Sequence, residues 1–215
     1  MVQLFNDGGW AMYPIAFLLV FGVAIALERL YTLSQAAIDA SGFFQQLEEA
    51  LRNGGAKQAA ELCSETRGPV ASVIHAGLLR MHRGVDNVEK TIENAGAVQM
   101  AFLERGMVWL STVANLAPMV GFLGTVSGMI GAFQAIKVAG DVEPSLVAGG
   151  ISEALITTAA GLSVAIPTYI AFRYLESRID RVALDMEAYS ASLIDGLEAA
   201  PAEISEAVAA EAPEA

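Results

Sequence analysis

Three stretches of this chain carry too few charges to fold as ordinary water-facing helices. The first runs from Met12 to Leu33 and is interrupted only by Glu28-Arg29. The second is uncharged from Gly106 to Ile136, and the third, Ile151 to Phe172, holds a single charge, Glu153. Each meets the requirement of about 20 apolar residues for a helix that crosses a bilayer. At ~1.5 Å per residue the second would be ~46 Å long, more than the ~30 Å hydrocarbon core, so it is expected to project beyond the membrane as a continuous helix.

The polar segments read as helices too. Ser41 is suited to cap a helix through about Arg52, which Asn53-Gly54-Gly55 would end. A second short helix covers 56–66 and stops at Arg67-Gly68-Pro69, and a third spans Val70 to His82 before Gly84. Asp86, with Glu89 three residues on, resembles a capping box. The helix it launches is expected to run unbroken into the second span, with Gly96 and Gly106 as its weak points. Beyond Phe172, apolar residues recur at Leu175, Ile179, Val182, Met186, Tyr189, Leu193 and Leu197. Steps of three and four make a bundle seam, serving subunit packing, packing on the chain's own loop helices, or both. From Ala199 the Ala/Glu/Pro-rich tail buries little and is expected to be disordered.

A mean hydropathy of +0.49, with 54% hydrophobic and 17% charged residues, agrees with a membrane protein. Eleven of the twelve Lys and Arg flank the spans on one side: Arg29, the seven of the 34–106 loop, and Arg173, Arg178 and Arg181. Only Lys137 lies in the short connection between the second and third spans. The basic side is expected to be cytoplasmic. No basic region precedes the first span, which is therefore expected to remain as an anchor rather than be cleaved as a signal peptide. The organisation that follows is an extracytoplasmic N-terminal segment 1–11, transmembrane helices 12–33, 107–136 and 151–172, a cytoplasmic helical loop 34–106, an extracytoplasmic connection 137–150, a cytoplasmic helix 173–198 and an acidic tail 199–215. The fold class is an all-α membrane protein with three transmembrane helices, two of them extended into a cytoplasmic helical bundle. The lone Cys63 permits no internal disulfide. A formal charge of −12, with eight acids and no base after Arg181, argues against nucleic-acid binding.

Candidate chemistry is sparse. A charge inside hydrocarbon costs roughly 2.5–3.5 kcal/mol on insertion scales and usually marks a polar pathway, so Glu153 is either a pathway residue or an interface residue ending the span. On the second span Ser111, Ala114, Pro118, Gly121, Thr125, Gly128 and Ala132 lie within about 60° of Thr125. This stripe reads equally as a packing face and as a narrow pore wall with Thr125 as its main hydroxyl. Pro118 and Pro167 free the carbonyls of Ala114 and Ser163. On the third span Ala154, Thr158, Gly161 and Ala165 form a similar stripe. Thr157 is placed to hydrogen-bond Glu153 within one helix, whereas Thr158 points about 140° from Glu153. Joining that pair would require an adjacent subunit or a partner helix. His75 and His82 lack a third ligand, so no metal site is expected. No phosphate loop, Cys/His cluster or nucleophile triad occurs, and neither enzymatic activity nor a cofactor is expected.

Gly121-Phe-Leu-Gly-Thr125-Val-Ser-Gly-Met129, followed by Gly150-Ile-Ser-Glu153-Ala-Leu-Ile-Thr-Thr158-Ala-Ala-Gly161, resembles the paired signature of the MotA/TolQ/ExbB ion-channel family. Gly8-Gly-Trp-Ala-Met-Tyr-Pro14-Ile and Glu28-Arg29-Leu30 resemble its ExbB branch, and similarity covers about residues 8–195. The resemblance implies a homopentameric ring in the bacterial inner membrane around the paired single-span helices of an ExbD-like partner. Proton flow would drive motion passed through a TonB-like transducer to outer-membrane transport. By motif position Thr125, Glu153 and Thr158 are the implied ion-coupling residues; Ser111, Pro118, Gly121, Gly128, Thr157 and Gly161 are candidates for the pore lining. The alternatives are a TolQ-like or gliding-motility role and, in a different class, a non-conducting structural membrane scaffold.

Overall fold

The computed structural model describes residues 2–36, 40–140 and 144–199. Among them every regular element is helical: α1 (Val2–Asp7), α2 (Met12–Ala36), α3 (Ala40–Glu65), α4 (Pro69–Leu78), a 3-10 turn (Met81–Arg83), α5 (Val85–Leu103), α6 (Met107–Ala139) and α7 (Pro144–Ala199). Three apolar regions are long enough to cross a membrane, and they are carried by α2, α6 and α7. The chain forms two compact units. The first comprises residues 1–30 and 106–175, the second residues 31–105 and 176–215.

The expected unbroken helix into the second span does not form. α5 ends at Leu103, and Gly106 precedes α6 with φ 87°. That left-handed backbone is unfavourable for residues with a Cβ. A Cβ there would also stand 3.3 Å from Nε of Arg29. The capping-box start at Asp86 is likewise unused. Gly84, at φ 91°, takes the cap, and its carbonyl accepts the amides of Asn87 and Val88. Asp86 instead sits in the first turn, where its charge complements the helix dipole. α4 stops at Leu78, short of His82, and a 3-10 turn completes the segment. In α3 the backbone breaks at Gly55 (φ 65°, ψ −164°), where Asn53-Gly54-Gly55 is expected to end a helix. The side chain of Ser41 and the segment from 200 onward lie outside the described residues.

In the first unit Ile15 and Leu18 of α2, Val113 and Ala117 of α6, and Val164 and Ala165 of α7 form one buried cluster. Gly22 lets α2 come close to both neighbours. A Cβ there would lie 3.0 Å from Val113 Cγ1 and 3.5 Å from Thr168 Oγ1. The second unit has its own buried aliphatic core, which includes Leu47, Val73, Ile74, Val88 and Leu103, all essentially inaccessible. Phe44 and Tyr189 pair there at a centroid distance of 4.7 Å. Of the apolar seam, Leu175, Ile179, Met186 and Leu193 are buried within a single chain, and Val182, Tyr189 and Leu197 are half-buried. The seam therefore packs on the chain's own helices.

Candidate functional site

α6 and α7 approach until backbone meets backbone. A Cβ on Gly121 would lie 2.9 Å from the Thr157 carbonyl oxygen, on Gly128 2.7 Å from that of Gly150, and on Gly161 2.6 Å from that of Ala117. These positions exclude any side chain, as expected of small-residue helix interfaces in membranes. The buried face of α6 includes Leu110, Ala114, Ala117, Gly121, Gly124, Gly128 and Ala132. It is turned by about 60° from a stripe centred on Thr125. Ser111, Pro118 and Thr125 fall on its half-buried edge. Gly124 belongs to this face too, although it lies about 100° from Thr125 and so outside the stripe centred there. A Cβ there would overlap Thr157, 2.6 Å from its Cβ. Its spacing from Gly121 and Gly128 is the available signal.

The same close approach unites two threonines. Thr125 Oγ1 and Thr158 Oγ1 are 2.8 Å apart, although 33 residues separate them in the chain. The Gly121 carbonyl accepts from both, at 3.2 and 3.4 Å. Each hydroxyl has one hydrogen. Whichever threonine donates to the other, the second can turn its hydrogen to Gly121. The pair thus has two interchangeable donor orders, a property suited to relaying a proton or orienting a water. Thr157, the neighbouring hydroxyl, is wholly buried and donates to the main-chain oxygens of Ala154 (2.9 Å) and Glu153 (3.1 Å). Its bond to Glu153 is therefore to the backbone, and Thr157 together with Gly121, Gly128 and Gly161 lies inside the α6–α7 interface.

Glu153 stands apart from this pair. Among the described residues no hydrogen bond joins its carboxylate to Thr125 or Thr158. It instead lies against Gly9, in the turn between α1 and α2. Gly9 has φ 62°, and a Cβ there would collide with Glu153 Oε1 and stand 2.9 Å from its Cδ. Next to it, Trp10 Nε1 donates to Ser127 Oγ of α6 at 3.1 Å. The Gly8-Gly9-Trp10 turn thus touches both helices that carry the candidate residues. This arrangement was not legible in the sequence, where well over a hundred residues separate the partners.

At another position in this unit Arg29 is buried, 8% exposed, and holds Glu28 through Nε and Nη2, each at 2.7 Å. The charges that interrupt the first apolar stretch therefore pair with one another, with the guanidinium set against Gly106. His75 lies in α4 and His82 in the 3-10 turn, where Arg83 Nε reaches His82 Nε2 at 3.3 Å. No group of three metal-ligating side chains occurs among the described residues.

Residues 65–188 match the model of the MotA/TolQ/ExbB proton channel family. A biopolymer transport protein ExbB homolog of Methanothermobacter thermautotrophicus is 33% identical over 181 residues, covering 84% of this chain and 64% of the relative. The biopolymer transport protein ExbB of Xanthomonas campestris is 38% identical over 108 residues, 50% of this chain and 43% of that protein. The Tol-Pal system protein TolQ of Haemophilus influenzae is 42% identical over 83 residues, 39% of this chain and 36% of its own. The chain thus spans under two thirds of the length of each of these three relatives.

Proposed function

This chain belongs to the MotA/TolQ/ExbB proton channel family, and from that premise we propose that it is the ring-forming subunit of an ion-driven motor of the ExbB type. With an ExbD-like single-span partner and a TonB-like transducer, it would couple the proton gradient across the inner membrane to outer-membrane transport. The observation that carries this reading is the Thr125–Thr158 hydroxyl pair, held at 2.8 Å inside the family-matched segment. Glu153, the one charged side chain of the third apolar run, supplies a second polar position beside Gly9. In this reading the N-terminus and the 137–150 connection face outward, while the 34–106 loop and residues 173–198 are cytoplasmic.

A TolQ-type role is the second reading, favoured by the Haemophilus relative. Co-purification from the native membrane separates the two by the transducer recovered. Thr125→Val and Thr158→Val roughly keep side-chain shape while removing the hydroxyl, and Glu153→Gln removes only the titratable charge. All three are expected to assemble with the partner yet lose gradient-driven uptake. Wild-type uptake by all three variants would remove these residues from the coupling route and favour a non-conducting scaffold. Orientation is checked by labelling a cysteine placed at the exposed Asn53, which should resist an impermeant reagent added to intact cells.

A further inference from the structure

The second unit contains an open groove of about 590 Å³ between α5 and α7. Its floor is apolar, with Val73, Ile92 and Met186 nearly inaccessible. Its rim carries Glu89, Glu93 and Glu187, all exposed, and none of them has an ion-pair partner among the described residues. Ser190, 6% exposed, also lines the groove, and its hydroxyl has no hydrogen-bond partner among the described residues. A buried hydroxyl left unsatisfied is unfavourable, so a group supplied from outside would stabilise it. Gly96 adds an independent sign. It lies within α5, where glycine weakens a helix relative to alanine. No heavy atom of another segment stands within 4 Å of where its Cβ would be, so internal packing does not require a glycine there. Its absent side chain keeps the groove open.

We propose that this groove binds a short cationic segment of a partner polypeptide, seating one or two apolar side chains on the floor, Lys or Arg against the three carboxylates, and a backbone polar group on Ser190. The groove is within the usual size of ligand pockets, and a mostly apolar lining with a few convergent polar groups is their common composition. Charge complementarity selects the occupant. A second copy of this chain, with formal charge −12, would bring more acid than base to an acidic rim.

The test uses the intact protein in nanodiscs and a fluorescein-labelled peptide of one leucine flanked on each side by two lysines. Anisotropy should report saturable binding, tighter than that of pentalysine carrying the same label. The combined variant Glu89→Gln, Glu93→Gln, Glu187→Gln should weaken it at least about tenfold, chiefly at low salt. Gly96→Leu should weaken it comparably by filling the groove, without lowering the unfolding temperature, because the space is open. Ser190→Ala should have a smaller effect. Equal affinity for the leucine peptide and pentalysine would mean diffuse surface charge and overturn the proposal. So would a Gly96→Leu variant that binds the peptide normally. A change of copy number in Gly96→Leu with peptide binding unaltered would assign the groove to a second copy of the chain, and the proposal would fail.

Discussion

Gly121, Gly124, Gly128 and Gly161 bring two helices of the first unit together, whereas Leu47, Val73, Ile74 and Val88 fill the second. The difference follows from the solvent each unit is built for. In lipid, apolar side chains gain little by leaving their surroundings, so helices associate through close backbone approach and interhelical hydrogen bonds. The Thr125–Thr158 bond belongs to that mode, because it forms only where missing side chains let α6 and α7 meet. In water, burial of apolar area drives association, and bulky aliphatic residues do it best. Most large exposed hydrophobic residues, such as Phe17, Met119, Phe122 and Ile166, accordingly belong to the first unit. The same physical rule thus gives the first unit an apolar outside and a glycine-lined α6–α7 contact, and the second a more polar outside around bulky aliphatic residues.

The largest effect is expected from adding a side chain to the α6–α7 contact of the first unit. Gly128→Leu would drive a Cβ to 2.7 Å from the Gly150 oxygen, a contact relieved only by moving a helix. Its effect should exceed the ordinary overpacking penalty of about 1–3 kcal/mol, seen as loss of monodisperse protein in detergent. Gly131→Leu, three residues further along the same helix with nothing within 4 Å, should be nearly silent. Similar behaviour of the two variants would contradict the backbone-contact account of α6 and α7.

The second unit should respond to the opposite change. Ile74 is completely buried, and Ile74→Ala removes apolar volume and leaves a cavity. A loss of about 2–5 kcal/mol is expected in denaturant unfolding. If truncation there is tolerated while Gly128→Leu is too, the contrast between the units has no energetic content.

A smaller effect should come from the turn that meets Glu153. Gly9→Ala and Gly140→Ala both place alanine at positive φ, 62° and 72°, at a cost of roughly 1–2 kcal/mol for the left-handed backbone. Only Gly9 faces an obstacle, the Glu153 carboxylate, while the space at Gly140 is open. Gly9→Ala should therefore be the more destabilising of the two, and the excess should shrink in a Glu153→Ala background, with a coupling of about 0.5–3 kcal/mol in thermal unfolding. Equal effects of the two alanines would show that the contact with Glu153 carries no energy.

The spans, the polar loop and the seam were legible because each rests on a local pattern: runs without charge, or apolar steps of three and four. The site was only partly legible. The helical wheel fixes angles within one helix but not how two helices are set against each other. It therefore placed Thr125 at the centre of a face when it lies at the edge, and it gave no means of pairing Thr125 with Thr158. The break before α6 had a local sign in Gly106, but its second cause, the Arg29 guanidinium, comes from another helix. Glu153 was visible as a lone charge, while its neighbour Gly9 was not, because a glycine advertises space without saying what fills it.

The mildest test uses Cys63, which separates the two units chemically because the chain's only thiol lies in the second. It is buried in α3, and desolvation pushes its pKa from 9.0 up to about 11. Between those values the unfolded chain has lost the thiol proton while the folded one keeps it. Stability that is fully present below pH 9 should therefore decline as pH rises from about 9 to 11. Other groups titrate in this range, so the informative quantity is the difference between the wild type and Cys63→Ala in thermal unfolding at each pH. The two curves should run parallel below pH 9 and converge above it. At neutral pH the thiol should also react slowly with maleimide in the native protein and rapidly after unfolding, since the thiolate is the nucleophile. Fast native labelling would mean that α3 opens readily, and the close-packed second unit would have to be replaced by a loosely held one.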